Sequence, residues 1–370
     1  MTPLSLPPAR PVDIAKKLGQ LGLILALAAI GAWAARHLGL PIPNLLGSLT
    51  ASAALSLFLY ARMGRRLWFP MNFRAAFIGV IGAMIGSSFS PSLWALAPSL
   101  ALSFLVMSLF ITAAWSLNFA IFRRLGGYDR PTALYSALPG GLIEAVSLGE
   151  QAGGNVEILS LQQFMRIVAV VVSVPALLTL WTGHAVGSAA GLSLEHAPAD
   201  LADWLSFLVI VPLGMWLGRR LSLPAWTIVG PMLVSAVLQG TGLWDVNGPG
   251  PLLAVAQLVV GAGLGTMFAR STFRHIAKGF GLALISVSAM LALGGGLSLL
   301  LTRLVPIPLE TLLISFSPGG VTEMSLIALS LGADPVLVTA HHLFRILFTV
   351  LAASAISKRL ARKSPSAPGA

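Results

Sequence analysis

The chain contains no cysteine, which excludes disulfides, thiol catalysis and cysteine-ligated metal sites. Charge is scarce too: Asp, Glu, Lys and Arg make up 9% of 370 residues, against 56% hydrophobic residues. Soluble domains carry about 25% charged residues, so this chain cannot cover a water-facing surface of its size. The long apolar runs do not alternate in polarity, which excludes a transmembrane β-barrel. There is no His-x-His pair and no His/carboxylate set at ligand spacing, so neither a metal site nor a cofactor is expected, and an enzyme is not the expected class. No polar stretch reaches the roughly 50 residues of a small domain, so no soluble signalling module is present.

What is there is apolar and long. Leu18–Trp33 is uncharged, Leu93–Phe122 is a thirty-residue run without a charge, and Gly279–Thr302 is another. About twenty such residues cross a hydrocarbon core. The formal charge of +11 does not indicate nucleic acid, because the basic residues sit in short clusters between apolar runs, where orientation signals belong. Met1–Gln20 is polar and proline-rich with no small-residue cleavage pattern, so the first run reads as a retained span.

The sequence repeats itself. Pro139-Gly140-Gly141-Leu142-Ile143-Glu144 recurs as Pro318-Gly319-Gly320-Val321-Thr322-Glu323, an offset of 179. The same offset pairs Gly82 with Gly261, Gly86 with Gly265, Phe89 with Phe268, Thr132 with Thr311, Ser136 with Ser315, Gly153 with Gly332 and Arg166 with Arg345. Earlier, Leu40-Pro41 and Gly47 match Leu223-Pro224 and Gly230 at an offset of 183. The expected organisation is a first membrane repeat over 12–182, an acidic extracytoplasmic linker over 183–203, a second repeat over 204–357 and a basic, disordered cytoplasmic tail over 358–370. Each half holds six apolar segments; the fifth, near 131–150 and 309–331, contains Pro-Gly-Gly.

The basic clusters constrain topology. They are Arg10/Lys16/Lys17, Arg62/Arg65/Arg66/Arg74, Arg123/Arg124/Arg130, Arg219/Arg220, Arg270/Arg274/Lys278 and the C-terminal tail. Six crossings per half would place several of them outside, against the enrichment of Lys and Arg in cytoplasmic loops. Five crossings per half place every cluster inside. The fifth segment then enters and returns on one side, turning at Pro-Gly-Gly, where proline and glycine break a helix. A broken helix that does cross, with another segment failing, is the alternative. Five is odd, so the second half is inverted. The expected fold is an all-α polytopic membrane protein of about ten spans. It has two inverted repeats, each of about five helices plus one broken or re-entrant segment, with both termini in the cytoplasm.

Ser317–Asp334, Ser-Pro-Gly-Gly-Val-Thr-Glu-Met-Ser-Leu-Ile-Ala-Leu-Ser-Leu-Gly-Ala-Asp, followed by His341-His342-Leu343-Phe344-Arg345, resembles the second-half signature of the AbrB family of bacterial membrane proteins. Ala137–Glu144 resembles the first-half signature. Some members carry an ammonia monooxygenase label, and the family name is linked to regulation of gene expression; an unrelated soluble DNA-binding regulator shares it. The resemblance implies a bacterial inner-membrane location and a duplicated domain, and supplies no substrate.

Candidate site residues cluster at the two breaks. Glu144 and Glu323 follow them by three residues; as intramembrane carboxylates they are either binding or coupling groups or caps for exposed N–H groups. The Pro139-Gly140-Gly141 and Pro318-Gly319-Gly320 turns open onto helix N-termini, a natural anion site. Arg166 and Arg345 lie inside the sixth segments and need a partner, either the neighbouring glutamate or a solute. Gln162 and Gln163 correspond to His341 and His342. Adjacent helical residues point about 100° apart, so the two histidines do not make a metal site; hydrogen bonding and a proton-sensitive role both stay open. Gly79, Gly82, Gly86, Gly261 and Gly265 read as close-packing faces. Paired Gly/Pro-interrupted segments in inverted halves point to a secondary transporter. Its expected partners are the bilayer, a small polar or anionic solute and a coupling proton or sodium, with a homodimer left open. The alternatives are a membrane sensor acting indirectly on gene expression and, last, a membrane monooxygenase.

Overall fold

The structure, a computed structural model, describes residues 11–40, 42–64, 67–89, 96–183, 200–223, 225–244, 246–268 and 273–363. Among them there are fourteen α-helices, one short 3-10 turn and no strand. The first half contributes α1 (Pro11–His37), α2 (Pro43–Met63), α3 (Met71–Ser87), α4 (Ala97–Arg124), α5 (Arg130–Ser136), α6 (Leu142–Gln151) and α7 (Val156–Thr182). The second contributes α8 (Leu201–Arg220), α9 (Trp226–Thr241), α10 (Gly250–Gly265), α11 (Phe273–Leu301), α12 (Leu309–Phe316), α13 (Val321–Leu331) and α14 (Pro335–Lys363).

The helices begin where local chemistry starts them. Asn155 accepts at Oδ1 from the N–H groups of Glu157 and Ile158 (3.0 and 3.1 Å) and starts α7. Asp334, 179 residues on, accepts from Val336 and Leu337 (2.9 and 3.0 Å) and starts α14. Asp200 and Asp203 form a reciprocal capping box at α8. Shifted by 179, the first residues of α3, α5, α6 and α7 fall on those of α10, α12, α13 and α14; shifted by 183, that of α2 falls on that of α9.

Seven helices, α1, α2, α4, α7, α8, α11 and α14, are long and apolar enough to cross a membrane. Large apolar side chains such as Ile30, Trp33, Leu105, Leu180 and Leu208 are exposed along them, which suits hydrocarbon as the solvent. Helices α3, α9 and α10, of 16–17 residues, are about 24–26 Å long at 1.5 Å per residue. The linker residues 184–199 and the tail beyond Lys363 lie outside the described residues; α14 itself runs on into the basic stretch as far as Lys363.

The helices sort into two bundles. One joins α1, α2 and α3 with α8, α9 and α10; the other joins α4–α7 with α11–α14. The main contacts between the bundles are made by α3 against α13 and α14. Within the first bundle the halves interlock reciprocally. The missing Cβ of Gly82 on α3 faces the Ile228 carbonyl on α9, and that of Gly261 on α10 faces the Leu45 carbonyl on α2. Gly86 likewise meets Met232 and Ser235, while Gly265 meets Leu49 and Ser52. Leu45, Leu49 and Ser52 are the 183-residue counterparts of Ile228, Met232 and Ser235. Gly31 against Gly47 is repeated by Gly214 against Gly230. At each of these positions backbone touches backbone, so the glycines are packing residues.

Candidate functional site

The fifth apolar segment of each half is two short helices rather than one. In the first half α5 stops at Ser136 and α6 starts at Leu142; in the second α12 stops at Phe316 and α13 starts at Val321. The turns between them are deep in the second bundle: Pro139, Gly140, Pro318 and Gly319 are buried. The two turns are not identical. Gly141 takes φ +67°, which glycine tolerates, whereas Gly320 has φ −78°. At Gly320 a Cβ would instead run into the Glu323 carboxylate, which would have to swing aside.

A helix that stops inside a protein leaves carbonyls unpaired, and the sixth segments supply donors for them. From α7, Gln163 Nε2 donates to the carbonyls of Tyr135, Ser136 and Leu138 at 3.0, 3.3 and 3.3 Å. Arg166 Nη1 donates to the Leu138 carbonyl. From α14, His342 Nε2 donates to the Ile314 carbonyl at 3.2 Å. Arg345 donates to the Ser317 carbonyl at 2.5 Å and to the Gly319 carbonyl. Tyr135 and Ile314, and Leu138 and Ser317, are repeat counterparts. Each half therefore uses one residue pair, Gln163/Arg166 or His342/Arg345, to satisfy the carbonyl end of its break. Cationic donors at a helix C-terminus are also favoured by the helix dipole.

This geometry corrects one expectation. Arg345 does not pair with Glu323. Glu323, 4% exposed, faces Arg74 of α3 at 3.9 Å, the one ion pair among the described residues. The pair joins the two bundles and the two halves. The stem of Arg74 passes Gly263 of α10, where a Cβ would lie 2.8 Å from Arg74 Cδ. In the other half the counterparts are Leu253 for Arg74 and Met84 for Gly263, so the ion pair has no twin. Glu144 stands in the first turn of α6, but its side chain lies outside the described part of the structure.

Gln162 and His341 do not face the breaks. Gln162 donates to the Tyr128 hydroxyl at 2.8 Å. His341 Nδ1 donates to the Leu337 carbonyl at 2.7 Å, and its Nε2 meets Ser103 Oγ of α4 at 2.5 Å. Both ring nitrogens are occupied, which makes His341 a tie between α14 and α4. Around the breaks several buried polar atoms have no hydrogen-bond partner: Nε of Arg166 and of Arg345, Oγ of Ser136 and of Ser315, Nδ1 of His342 and Oγ1 of Thr349. Buried polar groups are nearly always satisfied, so these atoms make the breaks the candidate site.

An apolar groove of about 180 Å³, lined by Val174, Leu178, Leu291, Gly294 and Phe316 among others, runs beside the second break. Trp115 is the repeat counterpart of Gly294. Its indole N–H donates to the Leu134 carbonyl at 2.9 Å. The groove has almost no polar lining and is unsuited to a charged solute.

Sequence reasoning missed Arg74, Gly263 and Thr349. Arg74 closes a topology-setting basic cluster, yet it already lies within the apolar stretch 73–90 and its repeat counterpart is Leu253. That asymmetry was the available signal.

The family described as "Transition state regulatory protein AbrB" matches residues 57–361. The chain is 26% identical over 354 residues to "Putative regulator AbrB" of Escherichia coli (strain K12), covering 94% of this chain and 97% of that protein. It is also 26% identical over 352 residues to "Uncharacterized protein YhjN" of Bacillus subtilis (strain 168), covering 88% and 89%. The match spans both breaks, both buried arginines and most of both repeats, and on that ground the chain belongs to the AbrB family.

Proposed function

We propose that this protein is a secondary transporter of a small polar or anionic solute, coupled to protons or sodium and working by alternating access. The observation that carries the proposal is the pair of interrupted helices, each held by a buried arginine and surrounded by unpartnered polar atoms. Interrupted helices meeting at the middle of a duplicated membrane fold are the usual construction of a solute site. Three of the four shorter apolar helices, α3, α9 and α10 but not α13, added to the seven long ones give ten crossings, five per half. An odd number per half inverts the second relative to the first, with α5–α6 and α12–α13 entering and returning on opposite sides. The reciprocal glycine contacts support a two-fold relation between the halves. The bundle of α4–α7 and α11–α14 is the unit that moves, against the bundle of α1–α3 and α8–α10. The place is the bacterial inner membrane with both termini in the cytoplasm.

The name of the Escherichia coli relative says regulator. With no polar stretch large enough for a signalling domain, a regulatory effect follows indirectly, from the solute moved. The test is uptake. Purified protein in liposomes is exposed to a cell-metabolite extract under an imposed proton or sodium gradient, and the lumen is analysed by mass spectrometry. At least one small polar metabolite should accumulate above empty liposomes. If nothing accumulates while the reconstituted protein stays folded, the transporter reading fails.

A further inference from the structure

We infer that the apolar groove beside the second break seats one lipid acyl chain. The inference rests on the membrane environment and on the repeat, and stands apart from the transporter reading.

The groove exists because the two halves differ at one position. Gly294 and Gly295 of α11, Val174 and Leu177 of α7, and Phe316 and Ser317 at the end of α12 are among its walls. In the first half Trp115 stands where Gly294 stands. Trp115 shares a buried cluster with Ala137, Leu138 and Ala353, the repeat counterparts of Phe316, Ser317 and Val174. The first half thus fills with its own indole the space that the second half leaves open. The indole also donates to the Leu134 carbonyl at 2.9 Å and so ties α4 to α5. The equivalent carbonyl, that of Leu313, accepts from Ser317 Oγ of its own segment at 2.7 Å. A side chain on Gly294 would run into the Phe316 carbonyl, 2.9 Å from its Cβ, so the second half cannot take the same solution without moving α12.

Chemistry and access set the occupant. A lining with almost no polar surface rejects charge. The volume of about 180 Å³ suits an apolar guest, since a dry apolar cavity of about 150 Å³ binds benzene. The mouth faces hydrocarbon. Leu177 is 53% exposed and Leu180, one turn further, is 81% exposed, and both α7 and α11 are long and apolar enough to cross a membrane. Leu177 and Gly294 stand about 8 and 11 Å from the last residues of their helices, Thr182 and Leu301, at 1.5 Å per residue. That depth lies within the roughly 15 Å of hydrocarbon in one leaflet, so a chain of that leaflet reaches the groove. A small aromatic solute matches the shape, but it would have to displace acyl chains that are the solvent at the mouth.

The test uses protein stripped of lipid in a steroid-based detergent, which carries no linear alkyl chain. Gly295→Leu puts an apolar side chain into the groove; its Cβ would meet only Leu313 Cδ2, at 3.8 Å, so the variant should fold. Gly296→Leu is the control. It gains the same helix propensity, meets nothing within 4 Å and lies off the groove. Melting temperature is followed as long-chain phosphatidylglycerol or phosphatidylethanolamine is added. The parent and Gly296→Leu should show a saturable rise of a few degrees with either headgroup, and none with glycerophosphoglycerol, which has no chains. In Gly295→Leu the rise should be at least halved. In liposomes, a phospholipid with a diazirine in mid-chain should label Leu313, Phe316 or Ser317 in the parent and in Gly296→Leu. That label should be lost in Gly295→Leu, while label at Leu180 stays. An equal rise and equal labelling in all three proteins overturns the inference. So does stabilisation by indole or benzene without stabilisation by lipid, which would give the groove to a small aromatic. Self-association that Gly295→Leu abolishes and lipid does not affect would give it to a second copy, and overturns it too.

Discussion

The ion pair between Arg74 and Glu323 should behave as a clasp between the two helix bundles, and its energy can be worked from the structure. At 3.9 Å and an effective dielectric near 20, two unit charges attract by about 4 kcal/mol. Both side chains are largely buried, with 13% and 6% exposure. Removing one partner therefore strands the other, at a typical cost of about 3–5 kcal/mol. Glu323→Gln and Arg74→Leu are each expected to destabilise by that order. Leucine is what the other half carries at this position, so the double variant should pack and recover much of the loss. Gly320→Ala should mimic Glu323→Gln, because its methyl would displace the carboxylate. A double-mutant cycle on thermal or denaturant stability gives the coupling directly. A second cycle, Glu323→Gln with Arg345→Gln, should be near additive, since Arg345 is engaged with carbonyls. If the first cycle is additive and the second strongly coupled, the pairing described here is wrong and Glu323 belongs to Arg345.

Three further outcomes follow from particular contacts. Gly82→Ala and Gly261→Ala should each destabilise by about 1–3 kcal/mol by overpacking, since a methyl would meet the carbonyls of Ile228 and Leu45, whereas Gly22→Ala and Gly281→Ala, which meet nothing within 4 Å, should melt like the parent. Single cysteines are informative in this cysteine-free chain: a membrane-impermeant thiol reagent added outside should label Glu195→Cys and miss Arg65→Cys and Arg274→Cys, and labelling of 274 but not 195 would refute the inverted arrangement. Asp129 caps α5 by accepting from the Thr132 N–H at 3.2 Å, so Asp129→Ala should cost about 1 kcal/mol. The Thr132 hydrogen bond holds the Asp129 carboxyl below its usual range. The stability it contributes is complete above the unfolded value of about 3.9 and is lost as pH falls through the lowered one, so the difference between parent and variant in an acid melting series should vanish at low pH.

The site was partly legible in the sequence. Arg166 and Arg345 stood out as charges in apolar segments, and the Pro-Gly-Gly turns as places where a helix must stop. Their companions Gln163 and His342 prove to satisfy further carbonyls of the same breaks. Glu323 was legible as a buried carboxylate, but its partner was not. Arg345 is nearer in sequence and repeats the layout of Glu144 and Arg166, yet it faces the carbonyl ends of α12, and carbonyl direction cannot be read from residue identity. Gln162 and His341 looked like members of the site by adjacency alone; a 100° turn of the helix sends them to Tyr128 and Ser103 instead.

The sequence by itself determined the helical membrane class, the duplication and the positions of the breaks. Each of these depends on local chemistry: hydrophobic length, fixed-offset identity and the backbone limits of proline and glycine. Only the tertiary structure decided how the fourteen helices divide. The two bundles each take helices from both halves, so the packing boundary cuts across the repeat boundary, a long-range choice made by close approach of backbones at Gly82, Gly86, Gly261 and Gly265. The same packing brings Arg74 of the third helix to Glu323 of the thirteenth, and Gly140 of the first break to Arg345 and Thr349. A buried charge takes whichever opposite charge or dipole the packing brings within reach, and across 249 or 205 residues of chain that is fixed by three-dimensional contact alone.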